Sequence, residues 1–435
     1  MDWYVVAILM IGILIVLSLM GIPLAVCLAL TAFSFLAFGI GLERAAIGLN
    51  TQLIHMWTSY TILAVPLFIF MAEFLFAGGM TQDVFDLASK WFRRLPGGLA
   101  LVTIVACAIF GAMSGSTLGA IATFGLLAVP EMLRRGYDKR LATGSVVSAG
   151  SLAHLIPPSI MAILYAMLVE GSPGEQLMAG FMPGILLAAG FAAVVFIWAK
   201  LRPSAAPQEP PVSWRERLAV LKKVFAPLII VVAVLGGIYT GIATVTEAAA
   251  IGAFASFVLA IASRRLTRKI FLETLLRAVK TSSFILFIAV GGKFFGWVLN
   301  YYTIPQHIVD MLVATSWNRW VIMIMIQVLF IIMGMFIDPV GIMFTTVPLL
   351  HPIVVAFGFD PIWFGVLFLI NMEIAIVTPP LGFGLYIIKG IVPDEVTLSD
   401  IIWGGLRFCL ATVVVLALVM AFPQIALWLP AMMRG

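Results

Sequence analysis

Residues 111–158 return in altered form at 334–380, and this internal echo limits what the chain can fold into more than any other feature. The first copy runs Gly111, Pro130, Gly136-Tyr137-Asp138 and Pro157-Pro158. The second runs Gly334, Pro352, Gly358-Phe359-Asp360 and Pro379-Pro380. From Pro130/Pro352 onward the offset is 222 residues, and before them it is 223. Side chains change between the copies while the turn and break residues stay. Each copy ends in a double proline inside an apolar stretch of bilayer-spanning length. Two such halves in one hydrophobic chain are the arrangement from which secondary transporters build a site between the repeats.

The chain is 63% hydrophobic and 10% charged over 435 residues, with a mean hydropathy of +1.15. A soluble domain cannot hide that much apolar surface, so the chain is predicted to be membrane-integral. The basic pI near 9.2 does not indicate a nucleic-acid partner, because 19 of the 25 Lys and Arg fall in four clusters at 90–94, 134–140, 200–223 and 264–280. These lie between apolar stretches, where cytoplasmic loops concentrate positive charge. Cys27, Cys107 and Cys409 have neither metal-ligand spacing nor an obvious disulfide partner. The first apolar run lacks a preceding basic region and a small-residue cleavage site, and reads as a retained span.

Apolar stretches of spanning length occur at about 3–20, 22–40, 60–78, 177–199, 225–243, 245–263, 281–299 and 401–422. Segments 42–58 and 265–280 are amphipathic, sit at matching places in the two halves, and are expected to be interfacial helices. Residues 1–200 thus form a first inverted repeat, 201–224 a cytoplasmic linker rich in proline and charge, and 225–430 a second repeat. Segments 97–133 and 320–356 have polar or glycine-rich centres, Ser114-Gly115-Ser116-Thr117 and Asp338-Pro339. Non-helical backbone facing lipid is too costly, so each is expected to be a re-entrant hairpin. Segments 141–170 and 361–390 cross the membrane, each broken at its Pro-Pro, because proline removes a donor and pushes the preceding residue out of helix. Asp138 and Asp360 are the expected caps of these broken helices. The fold class is therefore an all-α polytopic membrane protein with an inverted-topology repeat, two re-entrant hairpins and two discontinuous helices.

Orientation follows from charge. The first hairpin is flanked by Lys90, Arg93 and Arg94 on one side and Arg134, Arg135, Lys139 and Arg140 on the other. Both ends are expected to be cytoplasmic, and 170–175 external. The second hairpin then opens outside, upside down relative to the first.

Four unwound points, at 114–117, 150–158, 338–341 and 371–380, are expected to converge near mid-membrane. Broken helices offer free carbonyls that suit Na⁺ and helix N-termini that suit anions. The candidate Na⁺ ligands are Ser114, Gly115, Ser116, Thr117, Gly150, Asp338, Asn371, Thr378 and Pro379. The candidate substrate contacts are Ser151, Pro157, Pro158, Gly341 and Thr378. Sodium is preferred to a divalent ion because carboxylates are scarce here, and no other metal site is expected. The bland alternative is that these small residues only serve helix packing. Segments 114–117 and 338–341 are expected to face each other across the site.

Charges inside the spans carry their own expectations. Glu73 and Lys293 lie at about equal depth in repeat mates and form a possible charge pair. Glu247 is either a cap or an ion-coupling residue. Glu373 either tunes the second ion site or faces water. His154 reads as a hydrogen-bonded structural histidine ahead of a proton-coupling or substrate-binding one, and His351 reads as structural. The chain has no phosphate-binding GxxxxGK[ST], no HExxH and no nucleophile elbow, and is not expected to be an enzyme.

At this point the residues show a resemblance. GAMSGSTLGAIATFG (111–125), AGSLAHLIPPSI (149–160), TGIATVTEAAAIGA (240–253) and GFDPIWFGVLFLINMEIAIVTPPLGFGLYI (358–387) resemble the large membrane subunit of tripartite ATP-independent periplasmic (TRAP) transporters. The resemblance covers nearly the whole chain. It implies an elevator-type, Na⁺-driven importer of organic acids such as C4-dicarboxylates, sialic acid, keto acids or sugar acids. It also implies a bacterial inner-membrane location, a small membrane subunit of about four spans, and a periplasmic binding protein that delivers the substrate. No organic cofactor is implied. Two departures stand out: Thr244-Val245-Thr246-Glu247 replaces a common T-P-T-E, and His154 stands where a small residue is usual. A stand-alone Na⁺-coupled divalent-anion symporter shares the hairpin plan, but resembles S-N-T at both tips where this chain has S-G-S-T and I-D-P-V. An intramembrane hydrolase needs a nucleophile with a base, or a metal trio, at one depth, and no such grouping is visible.

Overall fold

The computed structural model describes residues 2–92, 94–207 and 213–433. Arg93, in the flank of the first expected hairpin, and residues 208–212 of the expected linker lie outside them. All regular structure among the described residues is helical, and eight helices are long and apolar enough to cross a membrane. A chain with so few polar side chains must satisfy its backbone donors within each segment, which helices do.

In the first half, α1 (Trp3–Leu19) and α2 (Leu24–Ile40) are followed by amphipathic α3 (Leu42–Trp57). A 3-10 turn, Tyr60–Leu63, leads into α4 (Ala64–Ala77), and α5 (Met80–Phe92) connects to a helix pair. That pair is α6 (Gly98–Ser114) and α7 (Thr117–Arg134). Next, α8 (Lys139–Ser151) passes through a 3-10 turn, Leu152–His154, to the Pro157-Pro158 break, and α9 (Ile160–Leu168) resumes beyond it. Helix α10 (Pro173–Leu201) ends the half. The second half repeats the order. It comprises α11 (Trp214–Tyr239), α12 (Val245–Ala262), α13 (Arg268–Tyr301) and the connector α14 (Ile304–Ala314). A second pair follows, α15 (Arg319–Gly334) and α16 (Pro339–Ala356). Then come α17 (Pro361–Val377), the Pro379-Pro380 break, α18 (Phe383–Lys389), α19 (Leu398–Ala421) and α20 (Gln424–Met433).

The caps explain where the repeated elements begin. Asp138 accepts from the backbone N–H of Arg140 and Leu141 at 2.8 and 3.2 Å. Asp360 accepts from Ile362 and Trp363 at 2.8 and 3.1 Å. In the same way Ser116 caps α7 by accepting from Gly119, and Asp338 caps α16 by accepting from Gly341. Each satisfies an orphan donor of the first helical turn. These pairs are all 222 residues apart, whereas Gly111 and Gly334 are 223 apart. The one-residue change of offset therefore lies in the turn of the helix pair, not at Pro130/Pro352. The echo also reaches further back than position 111. Gln82 donates to Asp86 on α5 at 3.3 Å, and Gln306 to Asp310 on α14 at 3.1 Å. The residues just before these helices, Gly79 and Thr303, both have positive φ, +78° and +52°.

Two segments differ from expectation. Residues 265–280 are not a separate interfacial helix; from Arg268 they form the first turns of the 34-residue α13. The expected linker becomes helical at Trp214, where Ser213 caps α11 by accepting from Glu216. In α13 the amphipathic stretch runs without a breaker into the apolar one, and in α11 the helix continues through Pro227.

The halves interlock. Helix α2 packs on α13 and α4 on α12, so the first group of helices is built from both repeats. In the second group α8 lies between α7 and α19, and α17 between α15 and α19. The α8–α19 crossing is backbone against backbone: a Cβ on Gly404 would lie 2.2 Å from the Arg140 carbonyl oxygen, and one on Gly144 2.5 Å from the Gly404 carbonyl carbon. Small residues permit such approaches, and van der Waals packing then holds helices together in lipid, where no hydrophobic force acts between them.

Candidate functional site

The first tip lies against the first break. Gly115 adopts the left-handed conformation (φ +57°), and a Cβ there would stand 2.7 Å from the Pro158 carbonyl oxygen. The Thr117 hydroxyl approaches the Ser151 carbonyl at 3.5 Å. One turn back, Gly111 lies against the backbone of Ala153, and Gly150 against Ile121 of α7. The fold thus brings Ser114, Gly115, Ser116, Thr117, Gly150, Ser151 and Pro158 into one place. Pro157 and Pro158 are buried there, joined by a cis peptide bond.

The second tip repeats this on the second break. The Leu381 backbone N–H donates to the Met335 carbonyl at 3.1 Å, and Gly334 stands so close to Ala375 that a Cβ would overlap its methyl at 2.4 Å. Ala153 and Ala375 are themselves 222 residues apart, so both tips seat by the same glycine-on-alanine contact. Pro379-Pro380 is also cis. Asp338 and Gly341 are tied to each other by the cap, which commits one Asp338 oxygen to the backbone. The two breaks connect through α17, which packs on α8, and through α18, whose Gly384 meets Ile376, Val147 and Ile121.

The hydroxyls have a useful polarity. Ser151 donates to the Ser148 carbonyl at 2.7 Å, and Thr378 to the Ile374 carbonyl at 2.6 Å. A hydroxyl has one proton and two lone pairs, so each oxygen is left as an acceptor. Asn371 is fully buried and donates to the Gln327 carbonyl and to Gln327 Oε1 at 3.1 and 3.0 Å, while its own Oδ1 has no partner. Gln327, which holds the candidate ligand Asn371, was not singled out in the sequence; a lone glutamine in an apolar helix was its only signal.

Glu373 has the largest unmet demand. It is 1% exposed, and neither carboxylate oxygen has a hydrogen-bond partner. The nearby polar side chain is Ser151, whose proton is already given to Ser148. The water-facing reading of Glu373 is therefore corrected: α17 is buried on all sides over residues 363–377. Asn371 and Glu373, two residues apart on a helix, point in different directions, the first to α15 and the second to the first break.

Other expectations change. Glu73 and Lys293 do not pair. Glu73 accepts from Arg277 at 2.9 Å, and Lys293 stands 3.9 Å from Glu170. Arg277 lies on the same continuous α13, and its long side chain reaches Glu73 where Lys293, more than four turns further on, does not. Glu247 is exposed and forms a capping box with Thr244, accepting from its N–H and hydroxyl at 2.8 Å each. The Thr-Val-Thr-Glu variant thus keeps a regular helix start. His154 is buried in the first break with Nδ1 unpartnered, so it is not the hydrogen-bonded structural histidine expected. His351 lines a cavity of about 490 Å³ shared with Lys293, Trp297, Asn300, His55 and Glu170. That cavity is lined by α3, α13, α16 and the end of α9, with Gly296 of α13 packed against Pro348 of α16 at its wall.

Comparisons with known proteins converge. The family described as "Tripartite ATP-independent periplasmic transporter, DctM component" matches residues 11–425. The chain is 31% identical to the C4-dicarboxylate TRAP transporter large permease protein DctM of Vibrio cholerae, over 98% of this chain and 97% of that one. It is 31% identical to the sialic acid TRAP transporter large permease protein SiaM of the same species, over 95% and 96%. The fold is similar to the crystal structure of the Alcanivorax borkumensis YdaH transporter, with a TM-score of 0.66 at 14% identity, covering 89% of this chain and 90% of that one.

Proposed function

Because this chain belongs to the DctM family, the large permease component of TRAP transporters, and is a multi-pass inner-membrane protein, we propose that it imports an organic acid together with Na⁺ by an elevator movement. The observation that carries the coupling is Glu373, a buried carboxylate with two unpartnered oxygens. A lone charge in dry surroundings is too costly to keep without a counter-charge. A Na⁺ ion there supplies it, with Ser151 and the unwound carbonyls of the first break as further oxygens. Tips and breaks on small residues support the reading, since ion and substrate then share one set of unwound backbone.

In this reading the first helix pair is a hairpin that opens to the cytoplasm and the second one that opens outside. The ion seats first and draws the tips onto the breaks. The substrate carboxylate then meets the capped N-termini of α7 and α16, where helix dipoles favour anions. Ion and substrate move together, because the second group of helices slides against the first only with both aboard. A small membrane subunit and a periplasmic binding protein complete the system; relatives named for C4-dicarboxylate and sialic acid support organic acids as the substrate class, beside others named for ectoine.

The test is reconstitution in liposomes with the small subunit, measuring uptake of labelled organic acids. Uptake is expected only with both an inward Na⁺ gradient and the binding protein. Uptake by this chain without a binding protein would favour the stand-alone symporter, and uptake indifferent to Na⁺ would remove the coupling.

A further inference from the structure

At the C-terminal end of α10, against α19, an open cavity of about 330 Å³ is lined by Val194, Ile197, Trp198, Leu201, Arg202 and Arg407. We propose that this cavity holds an anionic phospholipid, with its phosphodiester on Arg202 and Arg407 and its acyl chains along α10.

Three observations carry the assignment. First, the Arg407 guanidinium stacks over the Trp198 ring at 3.9 Å. Stacking fixes the plane of its donor fork, the geometry that suits a phosphate. Second, both charged side chains that line the cavity are donors. Neither Arg202 nor Arg407 makes an ion pair among the described residues. Arg202 and Arg140 stand close enough to Arg407 to repel it, with only Asp138 acting the other way; Arg140 is itself held by Asp400 at 3.2 Å. Such a cluster calls for an anion with several acceptor oxygens. Third, the wall below the arginines is Val194, Ile197 and Leu201, on a helix apolar enough to cross a membrane. A free phosphate has no use for that wall, whereas a lipid's chains do. The tryptophan and basic residues at one end of a spanning helix match an interfacial depth, where basic pockets bind acidic headgroups.

The experiment is native mass spectrometry of the purified chain in detergent, titrated with phosphatidylglycerol, phosphatidylcholine or glycerol phosphate. Phosphatidylglycerol is expected to bind as a retained adduct, and the pair Arg202→Gln and Arg407→Gln to weaken it about tenfold or more, as loss of charged hydrogen bonds does. Should the glutamine pair fail to fold, Arg202→Lys with Arg407→Lys keeps the charges but loses fork and stacking, and a several-fold loss is still expected. Equal binding of phosphatidylcholine, or unchanged phosphatidylglycerol binding in either double variant, overturns the site. Glycerol phosphate binding as tightly as the lipid overturns the lipid as its occupant and leaves a phosphate site.

Discussion

Glu373→Gln is expected to leave the protein folded while uptake needs several-fold more Na⁺. The side chain is isosteric, so packing around α17 is kept. The substitution removes a buried carboxylate with no hydrogen-bond partner, and a neutral amide costs less to bury than an unpaired charge. The melting temperature in detergent therefore holds or rises. Transport changes in the opposite sense. On the scale of hydrogen bonds, a contact to a charged group contributes about 1.5–3 kcal/mol against about 0.5–1.5 for a neutral one, so half-saturating Na⁺ rises by up to about tenfold. A Na⁺ titration of uptake, beside a melting curve of the same preparation, separates the two effects. Normal Na⁺ dependence with a normal melting curve would show that Glu373 does not hold the ion. A lowered melting temperature would place the residue in structural packing instead.

Gly404→Leu is expected to be the most damaging substitution for folding. A Cβ at 404 meets the Arg140 carbonyl oxygen at 2.2 Å and the Gly144 nitrogen at 3.1 Å. Both are backbone atoms of α8, so no rotamer change relieves the overlap, and the two helices must separate. Overpacking ordinarily costs about 1–3 kcal/mol, and more where the neighbour cannot move. Because α8 carries the first break, the separation also displaces Ser151 and its neighbours. Fluorescence-detected size exclusion after mild heating reads the effect: Gly404→Leu should lose its monodisperse peak. Gly236→Leu, on a helix with nothing within 4 Å of the added carbon, should keep it. Equal survival of both would mean the α8–α19 contact is dispensable.

Much of this architecture was legible in the chain. The double prolines, the capping residues Asp138 and Asp360, and the polar tips mark backbone that cannot continue as helix, and such local chemistry reads directly from sequence. Apolar length did the same for six of the eight expected spans; those at 3–20 and 22–40 form helices of 17 residues, while α7 and α16, within the expected hairpins, are long and apolar enough to cross. What escaped were contacts set by tertiary reach. Arg277 takes Glu73 because α13 does not break at residue 280, and no proline or glycine there signalled otherwise. Gln327 joins Asn371 only once α15 lies on α17. The unpartnered state of Glu373 is likewise a property of what surrounds it. The glycine contacts at 111 and 334 were visible as repeated punctuation, yet their alanine partners appear only when tip and break are packed together.

Arg134 and Ala356 are equivalent positions, 222 residues apart, and both are exposed. If the halves are inverted, they lie on opposite faces of the membrane. The measurement is single-cysteine labelling, with Arg134→Cys or Ala356→Cys in a background from which Cys27, Cys107 and Cys409 have been replaced. A membrane-impermeant maleimide should label Ala356→Cys in intact spheroplasts, and Arg134→Cys only after permeabilisation. Labelling of both positions from the same side would contradict the inverted repeat, and with it the single mid-membrane site built from two tips and two breaks.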